Sequence, residues 1–387
     1  MVNGDSVVAR WRDSFTLKSE GTASDGADLC SGGMVPREMQ RGIKKINKPI
    51  PTPGPTQVVV KLSAASLNFR DLLIAIGGPY PGNHVPGLIL AADGAGSIFL
   101  AGSESSWRGK EGTAVVLHPN EWLSGDVRNL EMSKILGGYS LDGTLQQFVL
   151  VNDTLAIPAP KGMTGAQAAS LPTAGVTAWS AIREALDARF DGVVDAWKGK
   201  WTDRRLEGKY VLTQGTGGVS CFAIQIASAL GATVISTSSS DAKLAIVKQL
   251  GARHVINYRT TPDWDQDVLR LTEGKGVDHV VEVGGAATIQ KSVNCTRKGG
   301  LVSVIGVLSE ADVLPPEFVP AVLFGGKIVK GCVAFSREAT AEFCEFAEAH
   351  SLQPLIAQTF EFDETVEAFE TLQKQNAVGK LVVKISE

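Results

Sequence analysis

The sequence predicts an α/β protein with a Rossmann-type doubly wound parallel sheet, and the pattern in residues 208–259 carries that prediction. A β-branched and apolar run at 210–212 is typical of a strand buried on both faces. A glycine cluster follows, and apolar residues then recur at three- and four-residue spacing until Gly231, as on a helix. A second strand is predicted at 233–237. Strand, glycine turn, helix and strand form a unit that binds dinucleotides, because glycines let the backbone approach phosphates at the helix N-terminus.

The glycine turn is the candidate pyrophosphate site. Its predicted ligands are Gly215, Thr216, Gly217, Gly218 and Val219. Ser220 takes the place of the third glycine of G-x-G-x-x-G, so the motif alone is also compatible with an ordinary strand-to-helix turn.

The end of the second strand indicates the cofactor. An NAD site has an acidic residue about 20 positions after the glycines, whereas residues 236–240 here are serines and a threonine. Hydroxyls, an ammonium and a phenol suit a phosphate dianion, which favours NADP(H) over NAD. The predicted ligands of this phosphate are Ser238, Ser239, Lys243 and Tyr258. Without the serines, Lys243 would be interpreted as a solvated helix lysine.

Composition limits the function classes. The chain has 387 residues, which suits two domains, and 44% hydrophobic with 20% charged residues is typical of a soluble globular protein. A net charge of −4 provides no basic field for nucleic acid or a membrane surface, and no apolar run could span a bilayer. Five scattered cysteines suggest reduced thiols. We therefore expect a cytoplasmic protein with a small-molecule substrate and without nucleic-acid or membrane partners.

The remaining pattern alternates strands and helices in the second half of the chain. Predicted elements are strands at 57–62, 113–117, 145–150, 279–283, 301–305 and 379–385, and helices at 264–272, 287–296 and 340–350. Glycines just beyond parallel strands leave room for a cofactor, so Gly284 and Gly306 are expected to pass its nicotinamide half. Residues 64–66 are predicted to form a loop that leads from the first of these strands to Asn68.

Several separated motifs resemble the medium-chain dehydrogenase/reductase superfamily. They are SLNFRDLL (66–73), the Gly-Pro-Tyr-Pro turn (78–81), DGAG (93–96), LPTAGVTAW (171–179) and VLTQGTGGVS (211–220). The chain looks most like the alcohol-dehydrogenase-like branch that lacks zinc, which is related to quinone and enoyl reductases. The resemblance implies a mostly β GroES-like catalytic domain at 1–162, a Rossmann NADP(H)-binding domain at 163–333, and a C-terminal return to the catalytic domain at 334–387.

The resemblance also bears on metal binding. Zinc-bearing relatives place a cysteine where this chain has Asn68, a histidine where it has Ala92, and a cysteine near Thr173. None of these three side chains can replace a zinc ligand. We therefore predict that the protein uses no metal.

Candidate catalytic residues follow from the same resemblance. Tyr80 corresponds to a tyrosine that faces the nicotinamide in enoyl reductases, and its phenol could donate a proton or polarise a carbonyl; it could equally be a packed turn aromatic. Asn68 corresponds to an asparagine beside the nicotinamide ribose. Thr177 and Lys380 are assigned to the cofactor site. Arg70 and Asp71 are predicted to form a local ion pair. The predicted substrate pocket comprises Phe69, Tyr80, Trp122 and Leu136.

The sequence thus predicts a metal-free, NADPH-dependent oxidoreductase that reduces a small activated C=C or carbonyl group, as in an enone, quinone, aldehyde or ketone. One alternative is an NADP+-dependent secondary alcohol dehydrogenase, and another is a non-catalytic NADP(H)-binding sensor or partner protein. An apolar run at 327–335 is expected at the edge of the nucleotide sheet, and long edge strands are usually covered or paired. The family resemblance implies that this edge pairs across a two-fold axis in a homodimer, unless the chain's own loops shield it.

Overall fold

A computed structural model describes residues 5–11, 43–77, 80–82, 84–85, 87–187, 204–308 and 313–386. These residues form two compact units. Unit 1 comprises the described residues up to Pro172 and those from Ile356 onward, and unit 2 is Thr173–Leu355. The compact units divide the chain at different residues from the predicted domains, since the helix that follows residue 333 belongs to unit 2.

The strands, in chain order, are β1 (Asp5–Trp11), β2 (Ile43–Pro49), β3 (Gln57–Leu67), β4 (Asp93–Ala101), β5 (Ala114–Leu117), β6 (Phe148–Asn152), β7 (Ala156–Pro158), β8 (Tyr210–Gln214), β9 (Thr233–Ser238), β10 (His254–Asn257), β11 (Val277–Glu282), β12 (Thr296–Val304), β13 (Ile328–Gly331), β14 (Ile356–Glu361) and β15 (Lys380–Lys384).

The α-helices are α1 (Phe69–Ala75), α2 (Gly165–Ala169), α3 (Thr177–Asp187), α4 (Gly218–Ala229), α5 (Asp241–Gln249), α6 (Trp264–Leu271), α7 (Ile289–Cys295), α8 (Phe318–Gly325), α9 (Arg337–Ala349) and α10 (Thr365–Gln373). A π-helical segment, Leu171–Val176, precedes α3. No helix in the described part of the chain has the length and apolar character needed to cross a membrane.

Unit 1 is organised around β3, which pairs antiparallel with β4, β6 and β15. The predicted loop at 64–66 is wrong, because these residues continue β3. Ala65 lies opposite both Val383 of β15 and Gly94 of β4, so pairing on both sides outweighs the weak strand propensity of small residues. As a consequence, Asn68 follows directly from a buried strand end.

Unit 2 contains a parallel sheet in the order β10-β9-β8-β11-β12-β13, which confirms the predicted doubly wound architecture. Its core includes Leu212, Ile235, Val280 and Val302 from the strands. The predicted strand, glycine turn and helix at 210–231 are confirmed as β8 and α4, and Gly231 follows that helix with φ of 91°.

Two other predicted strands begin at least three residues away from the observed first residue. The strand predicted at 145–150 lies at Phe148–Asn152, because Gly143, Thr144 and Leu145 donate their backbone N–H groups to carbonyls at 89–91. The strand predicted at 301–305 begins earlier, at Thr296, where it pairs with Val277.

Candidate cofactor and substrate sites

Hydrogen bonds hold the glycine turn between β8 and α4 in place. The N–H of Gly215 donates to the carbonyl of Thr237 on the neighbouring strand at 2.8 Å. Ser220, which stands in place of a third glycine, donates its hydroxyl to the carbonyl of Gln214 at 2.6 Å. The hydroxyl therefore closes the turn from within the helix.

The same turn leaves space above its backbone. Gly215 has φ of 71°, a conformation that glycine adopts without strain. A Cβ at Gly215 or Gly217 would meet no described atom within 4 Å. Thr216 is buried between them, while Gly218 and Val219 are the first residues of α4. Open space beside free N–H groups at a helix N-terminus fits a pyrophosphate.

Predicted phosphate ligands meet at the ends of β9 and β10. The N–H of Tyr258 donates to the carbonyl of Ser238 at 3.0 Å, which holds the two strand ends together. Ser239 follows and is partly exposed, and Lys243 lies in the first turn of α5. Burial and the nearby charge of Arg259 lower the pKa of Lys243. Two cations therefore share this corner of unit 2.

Sequence reasoning missed Arg259 and one carboxylate. Arg259 directly follows Tyr258, and its position just after a predicted strand could have indicated a phosphate ligand. Asp241 begins α5, and its carboxylate accepts a 2.9 Å hydrogen bond from the amide of Asn257. One acidic group thus lies beside the strand ends, but an amide already binds it.

A buried carboxylate orders the loop after β11. Glu282 is fully buried, and its Oε1 accepts from the backbone N–H groups of Gly284 at 2.7 Å and Gly285 at 3.0 Å. Thr288 donates to the same oxygen at 2.6 Å. The other oxygen accepts from Gln214 at 2.7 Å and from the hydroxyl of Ser292. This network was not predicted, since a glutamate within a strand gives no signal without its neighbours.

The structure shows the local environments of Gly306 and Thr177, two predicted cofactor-site residues. A Cβ on Gly306 would lie 2.5 Å from the carbonyl oxygen of Val283, so the close approach of two backbone segments requires glycine there. Thr177 is the first residue of α3 and is partly exposed. Cofactor contacts of both residues stay predictions.

In unit 1, Asn68 joins two buried charges. Its Nδ2 donates to Asp93 Oδ2 at 2.9 Å, and its Oδ1 accepts from Lys380 Nζ at 2.5 Å. Lys380 is 3% exposed and Asp93 is 0% exposed, whereas Asn68 is partly exposed. Burial lowers the pKa of Lys380, and Asp93 and Asp71 act in the opposite direction. Lys380 was predicted to bind the cofactor. Its hydrogen bond to Asn68 was not predicted from the sequence.

Arg70 connects this network to Tyr80. The predicted ion pair is confirmed, with Arg70 NH1 donating to Asp71 Oδ1 at 2.8 Å. The Arg70 Nε donates to the Tyr80 hydroxyl at 3.4 Å, and its guanidinium lies 5.4 Å from the ring centroid. Tyr80 is partly buried against the core of unit 1. Residues 78 and 79 of the predicted turn lie outside the described residues.

The four predicted pocket residues lie in different settings within unit 1, and their role in a substrate pocket stays a prediction. Phe69 and Tyr80 pack on the core of unit 1, and Leu136 is a core residue with 4% exposure. A cavity of about 260 Å³ in unit 1 is lined by Leu136 but not by Phe69, Tyr80 or Trp122. Trp122 lies in a loop, where its indole N–H donates to the carbonyl of Ser124 at 3.0 Å.

The residues at the expected zinc position do not fit that metal. Asn68 has an ammonium 2.5 Å from its carbonyl oxygen, and a divalent cation there would meet that positive charge instead of a thiolate. Ala92 supplies only a buried methyl group. Within the described ranges no three His, Cys, Asp or Glu side chains are grouped to hold a metal. Among the described residues no disulfide joins the cysteines, which are Cys221, Cys295, Cys332 and Cys344, and Cys30 lies outside these residues.

Two family models match the chain. The alcohol dehydrogenase GroES-like domain matches residues 54–161, and the zinc-binding dehydrogenase model matches residues 218–349. They cover most of the β3-centred sheet and most of the parallel sheet respectively.

Relatives match along almost the whole chain. A zinc-type alcohol dehydrogenase-like protein of Schizosaccharomyces pombe is 35% identical over 86% of this chain and 92% of its own length. A zinc-type alcohol dehydrogenase-like protein of Leptosphaeria maculans is 27% identical over 92% and 96% of the two chains. A crystal structure of an NAD-dependent alcohol dehydrogenase is 31% identical with a TM-score of 0.74, covering 89% of this chain and 96% of that one. The chain therefore belongs to the medium-chain dehydrogenase/reductase superfamily and is an oxidoreductase of that family.

Proposed function

We propose that the protein is a metal-independent, NADPH-dependent reductase of a small activated carbon–carbon double bond or carbonyl group. The observation that carries this proposal is the Lys380 ammonium bound to Asn68, at the position where zinc-bearing relatives keep a cysteine. A fixed internal cation at that place supports a mechanism in which side chains, and not a metal, stabilise charge on the substrate oxygen.

The choice of NADPH is supported by Lys243 and Arg259, whose charges lie together beside the end of β9. Two cations suit a phosphate dianion better than an uncharged ribose hydroxyl. Asp241 is the opposing feature, and its engagement by Asn257 reduces its influence. The 31% identical structure is described as NAD-dependent, so the NADPH preference proposed for this chain differs from that of this relative.

Bound NADPH would supply the hydride. The glycine turn would bind the pyrophosphate through backbone N–H groups, and the Glu282 network would hold the loop at 283–285 in one conformation. Asn68 would donate a hydrogen bond to the substrate oxygen. Tyr80 would deliver the proton that completes reduction, as a phenol can do when it is held in position.

A second candidate is NADP+-dependent oxidation of a secondary alcohol. It is favoured by the alcohol dehydrogenase-like relatives, and the same residues would act in reverse, with Tyr80 accepting the proton. The substrate in either direction is a small molecule.

We also propose a homodimer in the cytoplasm. β13 lies at the edge of the parallel sheet, and the neighbouring helix α8 exposes Val319 (68%), Leu323 (68%) and Phe324 (81%). An edge strand beside exposed apolar side chains favours pairing with a second copy.

The test is an activity panel with purified protein. NADPH oxidation would be followed by absorbance with enones, quinones and aldehydes, and NADP+ reduction with secondary alcohols, each with and without a chelator. We expect turnover with at least one enone, quinone or aldehyde, and no effect of the chelator. Turnover only with alcohols would support the second candidate. Tight NADPH binding without any turnover would support a non-catalytic binding protein.

A further inference from the structure

Asn68 is the accessible end of a buried charge network in unit 1. Beneath it lie the Lys380 ammonium and the carboxylates of Asp93 and Asp71, with exposures of 3%, 0% and 0%. Asp71 also accepts from the backbone N–H of Asn68 at 2.9 Å. Among these groups, Asn68 alone is partly exposed, so it is the member that an external molecule can reach.

The two charges fix the direction of the Asn68 amide. An ammonium can only donate, so the carbonyl oxygen of the amide must face Lys380. A carboxylate can only accept, so the amide nitrogen must face Asp93. The observed contacts have this arrangement, at 2.5 Å and 2.9 Å. The nitrogen carries a second N–H, for which the described part of the chain supplies no acceptor, so it can donate to a molecule beyond this network.

The backbone holds Lys380 in place. It is the first residue of β15, and its neighbour Leu381 lies opposite Leu67 in the antiparallel pair. The ammonium donates to the Leu67 carbonyl at 2.8 Å and lies 3.7 Å from Asp93 Oδ2. A cation buried this deeply is weakly screened, so its field acts strongly on the adjacent amide.

We propose that Lys380 is a positioning residue that acts through Asn68. Its ammonium draws electron density toward the amide oxygen and thereby makes the second N–H of Asn68 a stronger donor to the substrate oxygen. As hydride adds to the substrate carbon, an electron pair moves onto that oxygen, and this N–H stabilises the resulting negative charge until a proton arrives. The inference rests on the proposed function and specifies what stabilises the developing oxyanion.

A double-mutant cycle tests this coupling. K380M, N68A and K380M/N68A would be assayed for kcat with the best substrate of the activity panel, and for NADPH affinity by fluorescence. Loss of one such donor typically lowers kcat by about 10²- to 10³-fold. We expect each single variant to lose about 10²-fold and the double variant to lose no more than N68A. Because Asn68 and Lys380 are also predicted cofactor ligands, the NADPH affinity separates the two roles: weaker NADPH binding with wild-type kcat would overturn the proposal. Losses that multiply in the double variant would overturn the proposal, as would normal kcat in K380M.

Two further variants serve as controls. K380M leaves Asp93 buried without its cation, so K380M/D93N removes both charges together and should still be slow although it folds. K384M changes another lysine of the same strand and should keep the wild-type kcat. Wild-type kcat in K380M/D93N would overturn the proposal.

A spectroscopic measurement needs no substrate. The side-chain amide of Asn68 would be identified in ¹H–¹⁵N spectra by its absence in N68A, and K380M should move its proton signals upfield because the polarising charge is gone. An unchanged amide signal would contradict the inference. Lack of any turnover by the wild-type protein would instead contradict the proposed function, so the two failures are distinguishable.

Discussion

The side-chain amide of Gln214 donates a 2.7 Å hydrogen bond to the carboxylate of Glu282, which joins the ends of β8 and β11. Gln214 immediately precedes the glycine turn, and Glu282 binds the N–H groups of Gly284 and Gly285. The two segments expected to contact opposite halves of a dinucleotide are therefore held by one buried pair.

Glu282→Gln tests this link. The new amide would place an N–H group opposite the donor of Gln214, so we expect a loss of about 1–3 kcal/mol in unfolding free energy. NADPH should bind about tenfold more weakly, which corresponds to about 1.4 kcal/mol. The double variant Q214E/E282Q should recover both properties, because it again sets an acceptor opposite a donor. Denaturant titration and fluorescence would measure these changes, with the exposed Glu273→Gln as control. Wild-type behaviour of E282Q would contradict the prediction.

Cofactor preference should depend on Lys243 and Arg259. We expect NADP(H) to bind at least tenfold more tightly than NAD(H), about 1.4 kcal/mol, because charge-assisted bonds to a phosphate are of that order. Lys243→Ala and Arg259→Ala should each weaken NADPH binding about tenfold and leave NADH binding unchanged. Lys248→Ala on the same helix is the control. Equal affinities for the two cofactors in the wild-type protein would refute the preference.

The same site predicts a pH dependence. Burial and Arg259 lower the pKa of Lys243, so this ammonium loses its proton at a lower pH than an ordinary lysine. NADPH affinity should therefore fall on the alkaline side, while the affinity of Lys243→Ala should be nearly constant over that range. Parallel pH profiles for the two proteins would argue against a contact between Lys243 and the phosphate.

Tyr80→Phe tests the proton donor. The substitution keeps a ring under the Arg70 guanidinium and removes only the hydroxyl. If the phenol supplies the proton, kcat should fall at least roughly a hundredfold with NADPH affinity intact. Tyr139→Phe, which changes another tyrosine of unit 1, should stay within about threefold of wild type. A loss of only a few-fold in Tyr80→Phe would leave Tyr80 as a packing residue.

The metal content of the purified protein is a direct test of metal independence. Elemental analysis should find no stoichiometric zinc, because Asn68 and Ala92 offer no zinc ligands and Lys380 opposes a dication. About one metal ion per chain would refute this, and it is the outcome that the names of the zinc-type relatives would suggest.

For assembly, light scattering should give twice the 40.8 kDa chain mass at micromolar concentration. Phe324→Glu should shift the protein to the monomer mass, since a charge on α8 would be buried in the interface. Leu123→Glu, an exposed change in unit 1, should leave the dimer intact. A monomeric wild-type protein would exclude the proposed interface.

Local patterns predicted unit 2 well because its elements follow one another along the chain. The glycine turn, α4 and the strands around them are defined by spacing within about 30 residues, where apolar periodicity is informative. Residues 64–66 were misread for the opposite reason. Their strand is stabilised by β15, whose residues come from the far end of the chain, and pairing of that kind leaves no local signal.

In the candidate site, too, local motifs could be predicted from the sequence and long-range contacts could not. Asn68 and Tyr80 could be chosen from a motif, but the contact between Asn68 and Lys380 joins residues 312 positions apart. Arg259 and Glu282 were missed because a charge becomes informative only when the neighbouring strand ends are known. Contacts between side chains on different strands could therefore be identified only from the structure.

Because unit 1 is completed by residues after Ile356, the order of synthesis bears on how the protein matures. All of unit 2 is translated before β15, whereas β3 precedes unit 2 and lacks one neighbour until β15 has been made. Lys380 is translated after every residue of unit 2. A chain that stops before Lys380 would contain every residue of unit 2 yet lack the cation that we propose acts through Asn68, so we expect its kcat to be low.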